Sequence, residues 1–295
     1  MTDLHRIASA HLGNLRDLGG RATSDGTLLA TGVAYRSAEL ADEAVATDPD
    51  LATLAIRTVV DLRTAAERAA APDQVPAGAE LVVLDVLADL PSGAAAQLAG
   101  IFERPGSPEV ARSGRADGAE PDRTRPGGPG SDAGRGGAGP GALAGVDLVA
   151  QMVETYRALV STPSAQRAYA GLVRLVIDPA RVPLLFHCTA GKDRTGWAAT
   201  VLLLAAGATR EQALDEYLAV NPAVHEIFAP LLARVATSGV SADALRPLFE
   251  VRAEYLQAAF DEVDREFGTF EAYLRDGLGL TEIEREALAR TLRAR

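Results

Sequence analysis

The chain has 295 residues, 47% of them hydrophobic and 23% charged, and a formal net charge of -11. So acidic a balance argues against a nucleic-acid partner, and a single cysteine excludes an internal disulfide. The longest apolar run, Trp197 to Ala206, falls short of the ~20 residues that an integral membrane helix needs.

In chain order, Met1-Thr2-Asp3-Leu4-His5-Arg6 lacks the basic segment and apolar core of an ordinary signal peptide, so a cytoplasmic protein is expected. Gly13 to Gly20 is turn-rich, and Gly26–Leu29 and Val33–Arg36 read as short strands. A helix is expected over Asp48–Leu54, a buried strand over Arg57–Leu62 and another strand over Leu81–Val86. Thr64-Ala65-Ala66-Glu67 has the spacing of a capping box. From about 103 to 145, Gly, Pro, Arg, Asp and Ser displace almost every apolar residue, and a disordered surface insertion is expected there.

Leu148, Met152, Val153, Tyr156, Leu159 and Val160 then form a helical stripe. A second helix after Pro163-Ser164 turns Tyr169, Leu172, Leu175 and Val176 inward. The apolar run Val182–Phe186 reads as a buried strand, and Trp197–Ala206 as a helix stopped at Gly207. Thr209-Arg210-Glu211-Gln212 caps a helix through Tyr217, residues 222 to 264 are helical and amphipathic, and Thr269 and Thr281 open two short final helices. The whole chain, 1–295, reads as one α/β domain.

Between the Val182–Phe186 strand and its helix lies His187-Cys188-Thr189-Ala190-Gly191-Lys192-Asp193-Arg194-Thr195-Gly196. A loop that curls at a helix N-terminus aims backbone N–H groups at an anion, and the helix dipole adds to their pull. Cys188 at its base sits in the same field, which favours the thiolate. Arg194 closes the ring and can grip two phosphate oxygens at once, which a lysine cannot. The spacing therefore describes a phosphate-binding loop that carries its own nucleophile.

This loop resembles that of the protein tyrosine phosphatases, and its Gly-Lys-Asp-Arg-Thr-Gly form is similar to a bacterial branch of which a mycobacterial tyrosine phosphatase is typical. Asn14–Gly20, Tyr35–Leu40 and Val59–Thr64 followed by Glu67 resemble further motifs of that branch. The resemblance implies a central, mostly parallel sheet flanked by helices, with a C-terminal helical lid corresponding to about 222–264. It implies a metal-independent phosphatase that acts on phosphotyrosine in proteins, with breadth to phosphoserine and phosphothreonine, through a phosphocysteine intermediate. A phosphoinositide phosphatase with the same chemistry is the alternative, and a silent phosphate-binding module a more distant one.

In that scheme Cys188 attacks phosphorus, Arg194 and the loop from Thr189 through Ala190, Gly191, Lys192 and Gly196 hold the phosphate, and Thr195 eases departure of the sulfur. His187 positions Cys188. Arg16, Asp17, Arg36, Asp61 and Arg63 form a supporting shell. The general acid is open between Asp193 inside the loop, as in the branch, and Asp85 at its strand end; Asp193 has a structural alternative, pairing with an arginine such as Arg63. Lys192 reads either as a receptor for a second substrate phosphate or as a solvated charge at the loop rim. His5, His11, His187 and His225 have no ligand spacing, so neither a metal nor a cofactor is expected.

Overall fold

A computed structural model of the protein describes residues 5–89, 147–237 and 241–294. The insertion expected over 103–145 lies outside the described residues. Five strands form one sheet: β1 (Arg16–Asp17), β2 (Ala34–Ser37), β3 (Thr58–Asp61), β4 (Glu80–Val83) and β5 (Leu184–His187). Their order is β1-β2-β5-β3-β4, and only β1 runs antiparallel to its neighbour.

Parallel strands are buried on both faces, and alternate residues therefore serve different cores. Leu184, Phe186 and Val60 point into the larger core, whereas Leu185, Val59 and Tyr35 point into a smaller one with Leu12, Leu15, Leu40 and Leu51.

The helices are α1 (Pro49–Ala52), α2 (Ala65–Ala70), α3 (Leu148–Ser161), α4 (Pro163–Ile177), α5 (Arg194–Ala205), α6 (Arg210–Leu218), α7 (Asn221–Thr237), α8 (Ala242–Phe249), α9 (Ala253–Phe267), α10 (Phe270–Ala272) and α11 (Glu282–Leu292). The expected stripe of α3 is buried at Leu148, Met152, Tyr156, Leu159 and Val160. Both capping boxes, Thr64 with Glu67 and Thr209 with Gln212, are formed. No helix among the described residues is long and apolar enough to cross a membrane.

Three expectations need correction. Gly26–Leu29 is not a strand: Leu28 and Leu29 make only isolated bridges to Ala22 and Arg293. The Thr23 hydroxyl and the Thr27 amide both bond to Asp25, and Gly26 takes φ +80, so the chain turns before a ladder can extend. The strand expected over Leu81–Val86 covers only Glu80–Val83, and it lies at the sheet edge with Leu81 and Val83 exposed. The helix expected from Trp197 begins at Arg194, which places Arg194 and Thr195 in its first turn, where backbone N–H groups lack intrahelical partners.

Residues 222–264 divide into α7, α8 and the greater part of α9. Asn221 fastens the group: its amide donates to Val251 O at 3.0 Å and its carbonyl accepts from Val251 N at 2.8 Å. Phe228 of α7 stacks on Phe249 of α8 at 4.8 Å between ring centroids.

Candidate active site

β5 delivers the loop from the middle of the sheet, with β2 and β3 paired to it on either side. Cys188 follows at once and is buried. The loop's shape is set from outside. Thr189 O accepts from Glu39 N at 3.0 Å. Asn14 Nδ2 donates to Ala190 O and Gly191 O at 3.2 and 3.1 Å, and Arg36 Nη2 donates to Gly191 O at 2.6 Å. In a trans peptide the N–H points opposite to the C=O, so tethering three successive carbonyls outward turns the following amides inward. Inward amides are the arrangement that the anion cradle expected from the sequence would need.

Gly191 allows the path. Its φ of +67 suits glycine, and a Cβ there would lie 2.2 Å from Ser37 O.

Arg194 is held by a residue whose role the sequence reading missed. Its Nη1 and Nη2 donate to Glu67 Oε2 and Oε1 at 2.7 and 2.6 Å, and the Thr189 hydroxyl donates to Glu67 Oε1 at 2.6 Å. Burial by itself would raise the Glu67 carboxyl; the charge and hydrogen bonds of Arg194, with those of Thr189 and Thr64, outweigh it and hold the group well below the usual range. The same carboxylate closes the capping box on Thr64 at the start of α2. The capping-box spacing was thus the legible half of a double role.

The supporting shell resolves into two buried networks. In one, Glu216 of α6 accepts from Arg36 Nη1 at 2.7 Å, with Arg16 Nε and Arg21 Nη2 at 3.5 and 3.8 Å. Burial opposes the charge on Glu216, but the arginines Arg36, Arg21 and Arg16 prevail and lower its pKa. In the other, Arg63 binds Asp61 through Nε and Nη2 at 3.0 and 2.9 Å, Asp73 at 2.7 Å and Glu39 at 3.1 Å. His187 Nε2 approaches Asp73 Oδ2 to 3.2 Å while its Nδ1 lies 3.2 Å from Cys188 O. His187 therefore touches the backbone of Cys188 and stands against an acidic residue that sequence motifs did not single out.

Asp17 sits apart from the loop. Its oxygens accept the amides of Gly19 and Gly32 at 2.8 and 2.9 Å, which fixes the turns flanking β1 and β2. Asp61, Asp73 and His187 present metal-type donors within 4.8 Å of one another. Arg63 already occupies Asp61 and Asp73 with a cation of its own.

The two candidate acids lie in different surroundings. Asp193 accepts from Lys192 Nζ at 2.9 Å on Oδ1, with Oδ2 2.7 Å away, and from the Tyr156 hydroxyl at 2.8 Å on Oδ1. The pairing with Arg63 weighed from the sequence is not made: Arg63 is taken up by Asp61, Asp73 and Glu39. Lys192 is neither a rim cation nor solvated, being 1% exposed. Behind Tyr156, the Tyr217 hydroxyl donates to that of Tyr156 at 2.6 Å. Burial first, and then the charge of Asp193, raise both phenols well above their ordinary value, so they remain protonated donors. Asp85 is half-buried near Arg68, at 3.9 Å, and burial raises its carboxyl against the pull of Leu87 N, Arg68 and Arg194.

Thr195 is fully buried, and its hydroxyl has no hydrogen-bond partner. Such a group costs about 1–3 kcal/mol.

The comparisons agree with this geometry. A family model described as the tyrosine phosphatase family matches residues 7–294. A protein of Cupriavidus necator, provisionally named a tyrosine-protein phosphatase, is 32% identical over 275 residues, covering 93% of this chain and 84% of that protein. A triple-specificity protein phosphatase of Mycobacterium tuberculosis, PtpB, is 35% identical over 136 residues, covering 42% of this chain and 49% of that protein. With a cysteine and an arginine at the two ends of a loop built from outward-tethered carbonyls, and with a family match that spans nearly every residue, the chain belongs to the tyrosine phosphatase family.

Proposed function

We propose that this phosphatase hydrolyses phosphotyrosine in proteins, with breadth to phosphoserine and phosphothreonine, through a phosphocysteine intermediate. The Cys188 thiolate attacks phosphorus in line, forming the S–P bond as the P–O bond to the leaving group breaks. Asp193 delivers a proton to the departing oxygen, then takes one from the attacking water as the S–P bond breaks. Inward amides of the loop and the Arg194 N–H groups not used by Glu67 bind the equatorial oxygens as charge shifts onto them.

The observation that carries this reading is a loop with Cys188 at one end and Arg194 at the other, whose carbonyls are tethered outward. The unpartnered Thr195 hydroxyl supports its role as a donor to the sulfur when the thiolate is regenerated. Breadth beyond phosphotyrosine rests on the name of the mycobacterial relative. Helices α7 to α9, fastened by Asn221, act as a cover that excludes water from the loop.

The test is hydrolysis of para-nitrophenyl phosphate with EDTA present, by the wild type and by Cys188→Ser. Activity that resists EDTA and disappears in the variant is expected. Activity that persists in Cys188→Ser would assign the chemistry to another group. Turnover on phosphopeptides compared with soluble phosphoinositides decides the substrate class.

A further inference from the structure

Asp193 stands at the N-cap of α5 yet caps no amide. An aspartate at this position ordinarily bonds to the backbone two or three residues on. Here the carboxylate turns to Lys192 and to Tyr156, a residue 37 positions away on α3. Tyr156 is fully buried, with Tyr217 of α6 edge-on at 6.0 Å and 82° and Tyr255 of α9 at 5.8 Å between centroids. Three helices thus converge to hold one phenol against one carboxylate oxygen.

The two donors differ in what they permit. An ammonium has only protons to give, and because Lys192 lies against both oxygens of Asp193, a proton on Oδ2 would face a donor that cannot accept it. A phenol donating to Oδ1 is compatible with either state, since the carbonyl oxygen of a neutral carboxylic acid also accepts. A carboxyl whose Oδ1 is committed as an acceptor must carry its proton on Oδ2.

We propose that Tyr156, braced by Tyr217, is a positioning residue that reserves Oδ1 of Asp193 as an acceptor and so confines the transferable proton to Oδ2. The inference rests on Asp193 being the general acid. It follows that Lys192 must leave Oδ2 before the proton can reside there, and the dianionic substrate supplies the counter-charge that draws it away. Tyr217 keeps the phenol of Tyr156 from rotating, by occupying one of its lone pairs from the opposite side.

The experiment measures kcat/KM, which reports the step in which the leaving group departs, on para-nitrophenyl phosphate, whose leaving group departs unaided, and on phenyl phosphate, which needs protonation. It uses the wild type, Asp193→Asn, Tyr156→Phe, Tyr217→Phe and the double variant Asp193→Asn/Tyr156→Phe. General-acid catalysis contributes ~10²–10⁴-fold in typical cases, and misdirecting the proton should forfeit part of it. Tyr156→Phe is therefore expected to lose about tenfold more on phenyl than on para-nitrophenyl phosphate. Adding it to Asp193→Asn should cost nothing further, because its only route to the chemistry has been removed. Tyr217→Phe should show the same pattern, weaker.

If Asp193→Asn discriminates between the leaving groups but Tyr156→Phe and Tyr217→Phe lose equally on both, the tyrosines are merely structural and the inference falls while Asp193 keeps its role. An additive loss in the double variant overturns it as well. If Asp193→Asn itself does not discriminate, the assignment of the acid fails first and takes the inference with it. A lowered melting temperature in Tyr156→Phe does not mimic the expected result, because unfolding reduces both substrates in proportion.

Discussion

Glu67 faces Arg194 as a fork faces a fork, with Nη1 on Oε2 and Nη2 on Oε1, both pairs nearly closed to solvent. A guanidinium that binds phosphate only through its loop position could swing; one clamped along an edge presents its remaining N–H groups in a fixed plane. The clamp also neutralises a buried cation between turnovers. Binding and stability are therefore joined in one contact.

Glu67→Gln should show both effects. It keeps the volume but removes the charge, leaving Arg194 buried with a weaker partner. Breaking a buried pair costs about 3–5 kcal/mol, which corresponds to a fall in Tm of roughly 6–20 °C for a chain of this size. Loss of orientation should lower kcat/KM by about 10²-fold. Calorimetry and steady-state kinetics measure the two, and unaltered kcat/KM in a folded variant would deny the clamp any part in catalysis.

Acid should destabilise the protein through the same group and through Asp73. Burial opposes the charge on both, yet His187 and Arg63 hold Asp73, and Arg194 holds Glu67, below their ordinary values of 3.8 and 4.5. The unfolded chain therefore takes up protons before the folded one does, so this stabilisation is complete above those ordinary values and is lost as pH falls below them. Urea midpoints at pH 7, 5, 4 and 3 should be level down to about 5 and then drop. Asp73→Asn should be less stable at neutral pH and should flatten the acid limb. A midpoint already falling between pH 7 and 5 would implicate other groups.

Two glycines with the same backbone twist should respond differently to alanine. Gly26 has φ +80 and open space where a Cβ would go, so Gly26→Ala should cost only the ~1–2 kcal/mol of a left-handed residue. Gly191 has φ +67 and Ser37 O in the way. Gly191→Ala must push the loop off β2, and it should lose most activity as well as more stability than Gly26→Ala. Phosphate or vanadate protection against thermal unfolding reports the loop directly; equal protection in the two variants would mean that the cradle tolerates the shift.

Asp85 offers a contrast within the candidate acids. Burial raises its carboxyl, which suits a proton donor, but it is engaged by the amide of Leu87 and lies near the side chain of Arg68. If Asp193 serves as acid, Asp85→Asn should reduce kcat by less than about threefold, and uniformly across leaving groups. A loss on phenyl phosphate that greatly exceeds the loss on para-nitrophenyl phosphate would exchange the two roles.

The parts of the site that the sequence displays are those within one short segment. Cys188, Gly191, Arg194 and Thr195 are set by a strand, a turn and a helix that follow one another, and local patterning suffices. The capping box of Thr64 and Glu67 is equally local. The partners that make the segment work are not. Glu216 is 180 residues from Arg36, Glu67 is 127 from Arg194, and Tyr156 is 37 from Asp193. Each lies on a helix where a lone Glu or Tyr reads as a surface charge or a core aromatic, and only the packing of α2, α3 and α6 around the loop shows otherwise. The strand expected at Gly26–Leu29 failed for a related reason: β-type residues were present, but turn bonds from Asp25 pre-empted the ladder.

In the central sheet Ser37, His187 and Asp61 stand side by side, as do Arg36, Phe186 and Val60 one step back. Successive side chains point to opposite faces, so a single added residue in β5 would exchange His187 for Phe186 at the mouth. An imidazole would then enter the apolar side, a phenyl ring would face Asp73, and Cys188 would begin its turn a pleat late. The site is thus a matter of phase: the strand counts residues, and the loop from Cys188 to Arg194 keeps its place only when the count is right.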